Sequence, residues 1–158
     1  MLPSEELRKE IEEKYNINLE QYAWNDELKK QILSTQLDDT IETYASTLEE
    51  VYEHGFNIGH CGLTSRYVCR RFDEAKLFYG KASLLKNTKS APNGEHAWTI
   101  LNDKLIDTTL MIAIPQDKII EFGYTIEKEI APISAKMLSE YDTYESEFEI
   151  LSISSKSK

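Results

Sequence analysis

The stretch Glu95-His96-Ala97-Trp98-Thr99-Ile100-Leu101-Asn102-Asp103-Lys104-Leu105-Ile106-Asp107-Thr108-Thr109 decides the architecture. His96–Leu101 and Leu105–Leu110 read as two strands around an Asn102-Asp103-Lys104 turn, because apolar and β-branched residues flank a polar, turn-forming step. Side chains of a strand alternate faces with a period of two, so parity tells which residues share a face. With Asn102-Asp103 as a two-residue hairpin loop, Leu101 pairs with Lys104 and Trp98 with Asp107. His96 then lies diagonally from Asp107 on one face, ~7–8 Å away between backbone positions. An odd-length loop without a bulge sends the two to opposite faces.

Upstream of the hairpin, Lys86–Gly94 is a polar loop with Pro92 and Gly94, and Ala75–Leu85 has strand character. From Cys61 the pattern is helical: Ser65, Val68, Cys69 and Phe72 follow at helical spacing and share its face. Gly55 and the short connection Phe56–His60 separate that helix from a helical N-terminal third. There Pro3-Ser4 starts a helix running to about Lys14, and Asn25-Asp26 caps a second over Glu27–Leu33. Asp38-Asp39 starts a third, running to about Glu53, with an apolar stripe of Ile41, Tyr44, Ala45, Leu48, Val51 and Tyr52. Downstream, Ile119–Ile130 and Phe148–Ile153 are strand candidates around a short helix at Ser134–Tyr141, and Ser154–Lys158 reads as a frayed tail. Helices first and antiparallel strands after predict an α+β fold, N-terminal helices packed on an antiparallel sheet. The predicted organisation is one domain over 1–158, with a helical part at 1–54 and a core with its sheet at 55–153.

A chain of 158 residues with 41% hydrophobic and 29% charged side chains is long and apolar enough to bury one core. It has no apolar run of signal-peptide or membrane-spanning length. Eighteen basic and 28 acidic side chains give a net charge of −10, which argues against nucleic acid or an anionic membrane as partner. The surplus is uneven: residues 1–53 carry −9, residues 54–94 carry +5 and residues 95–158 carry −6. The basic middle segment reads as a complement to its acidic flanks rather than as an anion site. Cys61 and Cys69, eight apart on one helix, have Cα atoms ~12 Å apart, beyond the ~7 Å a disulfide spans. Free thiols and no export signal predict a reducing, cytoplasmic setting. His54, His60, Cys61 and His96 contain no CxxC pair and no HExxH helix, so neither a metal nor another cofactor is expected.

Three residues carry chemistry as a group. A cysteine nucleophile needs a stabilised thiolate, a base within hydrogen-bond reach and a group that orients the base. Cys61 opens a helix, where the dipole and free backbone N–H groups favour a thiolate and can line an oxyanion hole. His96 begins a strand directly after a loop, and Asp107 lies on the partner strand. Asn57, Trp24 and Tyr52 are the candidates for a second oxyanion donor. Cys69 reads as core filler, His60 as a loop histidine, and Arg66, Arg70 and Arg71 as the exposed side and C-terminal end of the Cys61 helix. Trp98 either walls the site or packs in the core.

Gly59-His60-Cys61-Gly62 entering a helix, Glu95-His96-Ala97-Trp98 on a strand and Leu105-Ile106-Asp107-Thr108-Thr109 on the next resemble the transglutaminase-like branch of papain-like cysteine enzymes. The likeness covers roughly residues 57–110, with Thr108 where that family usually has proline. It implies a papain-like core in which Cys61 is the nucleophile, His96 the base and Asp107 its orienting acid. The expected reaction is acyl transfer from an amide of a protein or peptide substrate through a thioester, completed by water or an amine. The alternative is a non-catalytic protein-binding domain on the same fold. The short interval between Cys61 and His96 implies a minimal core, and Lys86–Gly94, placed just before His96, is either a lid or substrate-contact element or a surface connection.

Overall fold

The computed structural model describes residues 1–37 and 45–137. Among these residues the helices are α1 (Pro3–Tyr15), α2 (Asp26–Leu33), α3 (Leu48–Glu53), α4 (Cys61–Arg71) and α5 (Pro132–Ala135). The strands are β1 (Lys76–Ala82), β2 (Glu95–Leu101), β3 (Lys104–Asp107), β4 (Ile112–Pro115) and β5 (Tyr124–Glu129). All strand pairs are antiparallel, in the order β4-β3-β2-β1-β5, which makes the fold α+β. No helix among the described residues is long and apolar enough to cross a membrane.

The β2–β3 hairpin turns on two residues. Asn102 and Asp103 both take left-handed backbone angles, φ 52° and 62°, which Asn and Asp tolerate and which match the twist of the flanking strands. Leu101 pairs with Lys104, Ile100 with Leu105 and Thr99 with Ile106. The same register puts Asp107 opposite Trp98, so parity holds and His96 shares a face with Asp107.

Helix α4 packs on β2 and β1 and is buried nearly all round. Besides Cys61, Ser65, Val68 and Cys69, it buries Gly62, Leu63, Thr64 and Tyr67. Arg70 and Arg71 remain exposed at its end, where positive charge suits the dipole.

Several boundaries differ from the sequence reading. The third helix begins at Leu48, because Thr47 accepts the N–H of Glu50 as its cap and Ser46 and Thr47 are held extended against Leu37 and Gln36. Ala45 therefore lies before the helix, and the proposed start at Asp38-Asp39, with Ile41 and Tyr44, lies outside the described residues. The strand read as Leu105–Leu110 ends at Asp107, whose carboxylate takes the N–H groups of Thr109 and Leu110. Such side-chain bonding competes with the ladder, and after a turn at Met111 (φ 58°) the chain returns as β4, which sequence reading missed. The strand read as Ile119–Ile130 is only Tyr124–Glu129, since a 3-10 turn at Gln116–Lys118 and Gly123 at φ 80° hold the chain in turns before it. Likewise a 3-10 turn at Ser83–Leu85 shortens the first strand. The helix read as Ser134–Tyr141 starts earlier, with Pro132 in its first turn. It also ends sooner, at Ala135 with Lys136 as its C-cap; residues 138–141, Phe148–Ile153 and the Ser154–Lys158 tail lie outside the described residues.

Gly80 lets the sheet edge fold over the hairpin. It pairs with His96 on β2 and follows the irregularity that shifts the β1–β5 register at Tyr79/Gly80. A Cβ there meets the Thr125 carbonyl oxygen at 1.9 Å and the Trp98 ring at 2.9 Å. Gly80→Ala is expected to destabilise the protein by ~2 kcal/mol or more, at the upper end of overpacking costs, read as a lowered urea midpoint with unchanged slope.

Candidate active site

Asp107 is fully buried, and a buried carboxylate persists as a charge only with hydrogen-bonded partners. It has four. Oδ1 accepts the N–H groups of Thr109 at 2.8 Å and Leu110 at 3.0 Å, and Oδ2 accepts Nε2 of His96 at 3.0 Å and the hydroxyl of Tyr124 at 2.5 Å. Burial alone would raise its pKa, but the charge of His96 and the hydrogen bonds from His96, Tyr124 and Leu110 hold it below the usual carboxylate value.

The charge on Asp107 fixes the state of its neighbour. An ionised carboxylate only accepts, so Nε2 of His96 carries a proton and Nδ1 faces away from Asp107. Nδ1 is buried without an aligned hydrogen-bond partner. Cys61 is the other group that acts on the ring, by charge and by side-chain contact. Burial disfavours imidazolium, yet the charges of Asp107 and Cys61 outweigh it and raise the His96 pKa to about 10. The structure thus brings Cys61, His96 and Asp107 together, and all three side chains have 0% exposure.

The segment that carries Asp107 is clamped from the N-terminal side. Arg8, itself buried, donates through Nη1 to the carbonyls of Leu110 at 3.0 Å and Met111 at 3.4 Å. Trp24 donates its backbone N–H to Met111 and its indole N–H to the Ile112 carbonyl. Tyr52 donates to the Thr108 carbonyl at 2.6 Å, and Asn57 Nδ2 donates to Ser4 Oγ and to that same carbonyl. The hydroxyls of Thr64 and Thr108 meet at 2.6 Å, tying α4 to the same turn. Burial, and then the charge of Asp107, push the Tyr52 pKa well up, so it stays a donor.

These bonds dispose of the three candidates for a second oxyanion donor. Asn57, Trp24 and Tyr52 each spend a donor on the turn after Asp107, and so act as braces for the acid. The amides at the start of α4 keep the role that helix geometry gives them. Trp98 is buried in the core, its ring is 6.2 Å from that of His96, and it meets Tyr124 edge-on at 5.3 Å. His60 is half-buried and precedes α4 without a side-chain cap. Cys69 is buried in the core, and its burial pushes the thiol up to about 11. The loop Lys86–Gly94 is pinned: Asn87 N–H bonds the Pro92 carbonyl, Thr88 Oγ1 bonds the Leu85 carbonyl, and Ser90 and Ala91 are buried. Among the described residues no group of three His, Cys, Asp or Glu side chains is placed to hold a metal.

Sequence reasoning missed Tyr124, which it placed within a long strand without a role. Only its place on β5, with β1 and β2 between it and β3, brings it to Asp107, and no spacing rule reports that.

The His96 pairing makes stability pH-dependent. Its folded pKa of about 10 lies above the ~6.5 of an unfolded histidine, so the stabilisation is full below pH ~6.5 and is lost as the pH rises through the folded value. Urea unfolding of wild type and His96→Gln should therefore show a stability difference that shrinks from pH 6.5 towards pH 10. Titrations common to both proteins, such as that of Cys69, cancel in this difference.

No family model, curated protein or solved structure matches this chain.

Proposed function

We propose that the chain is a cysteine-dependent acyl-transfer enzyme of the transglutaminase-like, papain-like kind, acting on amides of protein or peptide substrates. The observation that carries this reading is the 3.0 Å bond from His96 Nε2 to Asp107 Oδ2, which leaves Nδ1 as the proton-transfer atom on the Cys61 side of the ring. A histidine serving only to fill the core has no need of a charged carboxylate on one nitrogen and a cysteine acting on the same ring.

Each group has one part in the reaction. With its pKa raised to about 10, His96 rests as the imidazolium, so Cys61 enters as the thiolate of an ion pair and attacks the amide carbonyl carbon. The N–H groups at the start of α4 receive the developing oxyanion. The imidazolium returns its proton to the leaving amine as the C–N bond breaks, which leaves a thioester on Cys61. Water or a second amine, deprotonated by the same Nδ1, then attacks the thioester and releases the Cys61 thiolate, which restores the resting ion pair. Asp107 keeps Nε2 protonated throughout and steadies the imidazolium; it exchanges no proton itself. Water gives a peptidase, amidase or deamidase, and an amine gives a transamidase. The small core tilts the reading towards hydrolysis. Two unbridged, buried thiols support a reducing, cytoplasmic setting.

A second reading draws on one specific observation: the complete burial of Cys61, His96 and Asp107 suits a non-catalytic protein-binding domain that keeps the fold with its triad closed. Alkylation separates the two. Incubation with iodoacetamide at pH 6, followed by intact-mass measurement and peptide mapping, should place one adduct on Cys61, ahead of Cys69. The adduct should be absent from Cys61→Ala and at least about a hundredfold slower to form in His96→Ala, the lower end of the scale of a lost base. Equal protection of both thiols, or labelling indifferent to His96, would contradict the enzyme reading and favour the scaffold.

A further inference from the structure

Tyr124 and His96 compete for one oxygen. The Tyr124 hydroxyl and His96 Nε2 both bond Oδ2 of Asp107, at 2.5 and 3.0 Å, while Oδ1 is committed to two backbone amides. Tyr124 reaches this oxygen from β5, the far edge of the sheet, with β1 and β2 between it and β3. Strands are spaced ~4.8 Å apart, so the sheet must curl to bring the phenol there. Gly80 and the irregular β1–β5 register supply the curl, and the Trp98 ring touches both the Tyr124 and the His96 rings. A surface tyrosine placed by chance has no such supports.

We propose that Tyr124 is a positioning residue that moderates how strongly Asp107 holds the His96 proton, by donating its phenolic hydrogen to the oxygen that His96 uses. The proposal rests on the Cys61–His96–Asp107 reading above and adds a fourth member to it. Density that Oδ2 gives to the phenol is not available to imidazolium, so the hydroxyl weakens the acid–base pair and eases return of the proton to the leaving amine. The phenol stays protonated, because burial and then the charge of Asp107 raise its pKa far above the ordinary value.

The titratable groups that bear on this hub come from four elements: Cys61 from α4, Asp107 from β3, Tyr124 from β5 and Tyr52 from α3. Tyr52 is already engaged with the Thr108 carbonyl. Among the described residues, Tyr124 is the group besides His96 that bonds the shared oxygen.

The test is a pH titration of the His96 imidazole by NMR on protein carrying 15N-labelled histidine, in wild type, Tyr124→Phe and Cys61→Ala. Phenylalanine keeps the ring against Trp98 and removes only the donor. Tyr124→Phe is expected to raise the proton affinity of His96 threefold or more. Site-specific 3-fluorotyrosine at position 124, a stronger donor with the same shape, should lower it, and this arm holds even if Tyr124→Phe does not fold. Loss of packing alone would lower the melting temperature without moving the titration in opposite directions. An unchanged or lowered midpoint in Tyr124→Phe, or no lowering with fluorotyrosine, overturns the proposal. Failure of the underlying reading looks different: His96 would then titrate identically in wild type and Cys61→Ala, which would mean that the thiol is not coupled to the ring.

Discussion

A carboxylate buried without water must be held by donors, and here four donors converge on Asp107. Two come from the backbone just beyond it, one from the hairpin partner strand and one from the far edge of the sheet. The carboxylate therefore ends β3, sets the tautomer of His96 and draws β5 across the sheet. If Asp107 were neutral, Nε2 of His96 would lose its charged acceptor and the amides of Thr109 and Leu110 would be left with a weak one, a costly state inside a core. Local chain geometry and candidate chemistry thus depend on the same charge.

The N-terminal helices are integral to this arrangement. Polar side chains of these helices and of their connections reach the carbonyls of residues 108–112, so Arg8, Trp24, Tyr52 and Asn57 hold in place the turn that holds the acid. Met111 keeps a left-handed backbone angle there, and both the N–H of Trp24 and the guanidinium of Arg8 bond its carbonyl oxygen. The positive middle segment is used within the chain as well. Arg66 bonds the Ser134 carbonyl and the Tyr79 hydroxyl, Arg70 and Arg71 lie over the rings of Tyr67 and Phe72, and Lys81 pairs with Glu95. Exposed pairs of this kind contribute little energy each, but they account for the charge segregation without an anionic ligand.

The parts of the site that were legible in the sequence are those governed by short-range periodicity. A two-residue loop at Asn102-Asp103 was one of the turns the sequence allowed, and with it parity places His96 and Asp107 on one face; the left-handed angles of both residues select that turn in the structure. Cys61 at the head of α4 followed from helical spacing. The missed features come from contacts distant in sequence. The chain breaks after Asp107 because the carboxylate caps its own backbone, so β4 was hidden inside an apolar run. Helix α3 is short because Ser46 and Thr47 pair with the chain after α2. Tyr124 meets Asp107 only after β5 has paired beyond β1. The burial of Cys61, His96 and Asp107 is a property of the packed molecule, and no local pattern reports it.

The central claim is that Asp107, through His96, equips Cys61 to carry an acyl group. Its most direct test is to mix the protein with p-nitrophenyl acetate and record both the release of p-nitrophenol and the mass of the quenched protein, in wild type, Cys61→Ala and Asp107→Asn. The account predicts a burst approaching one equivalent in wild type with an acetyl group mapped to Cys61, no burst in Cys61→Ala, and a burst slowed at least about a hundredfold in Asp107→Asn, as expected when the tautomer is lost. A burst equal in wild type and Asp107→Asn, or an acetyl group found on Cys69 as readily as on Cys61, would contradict it.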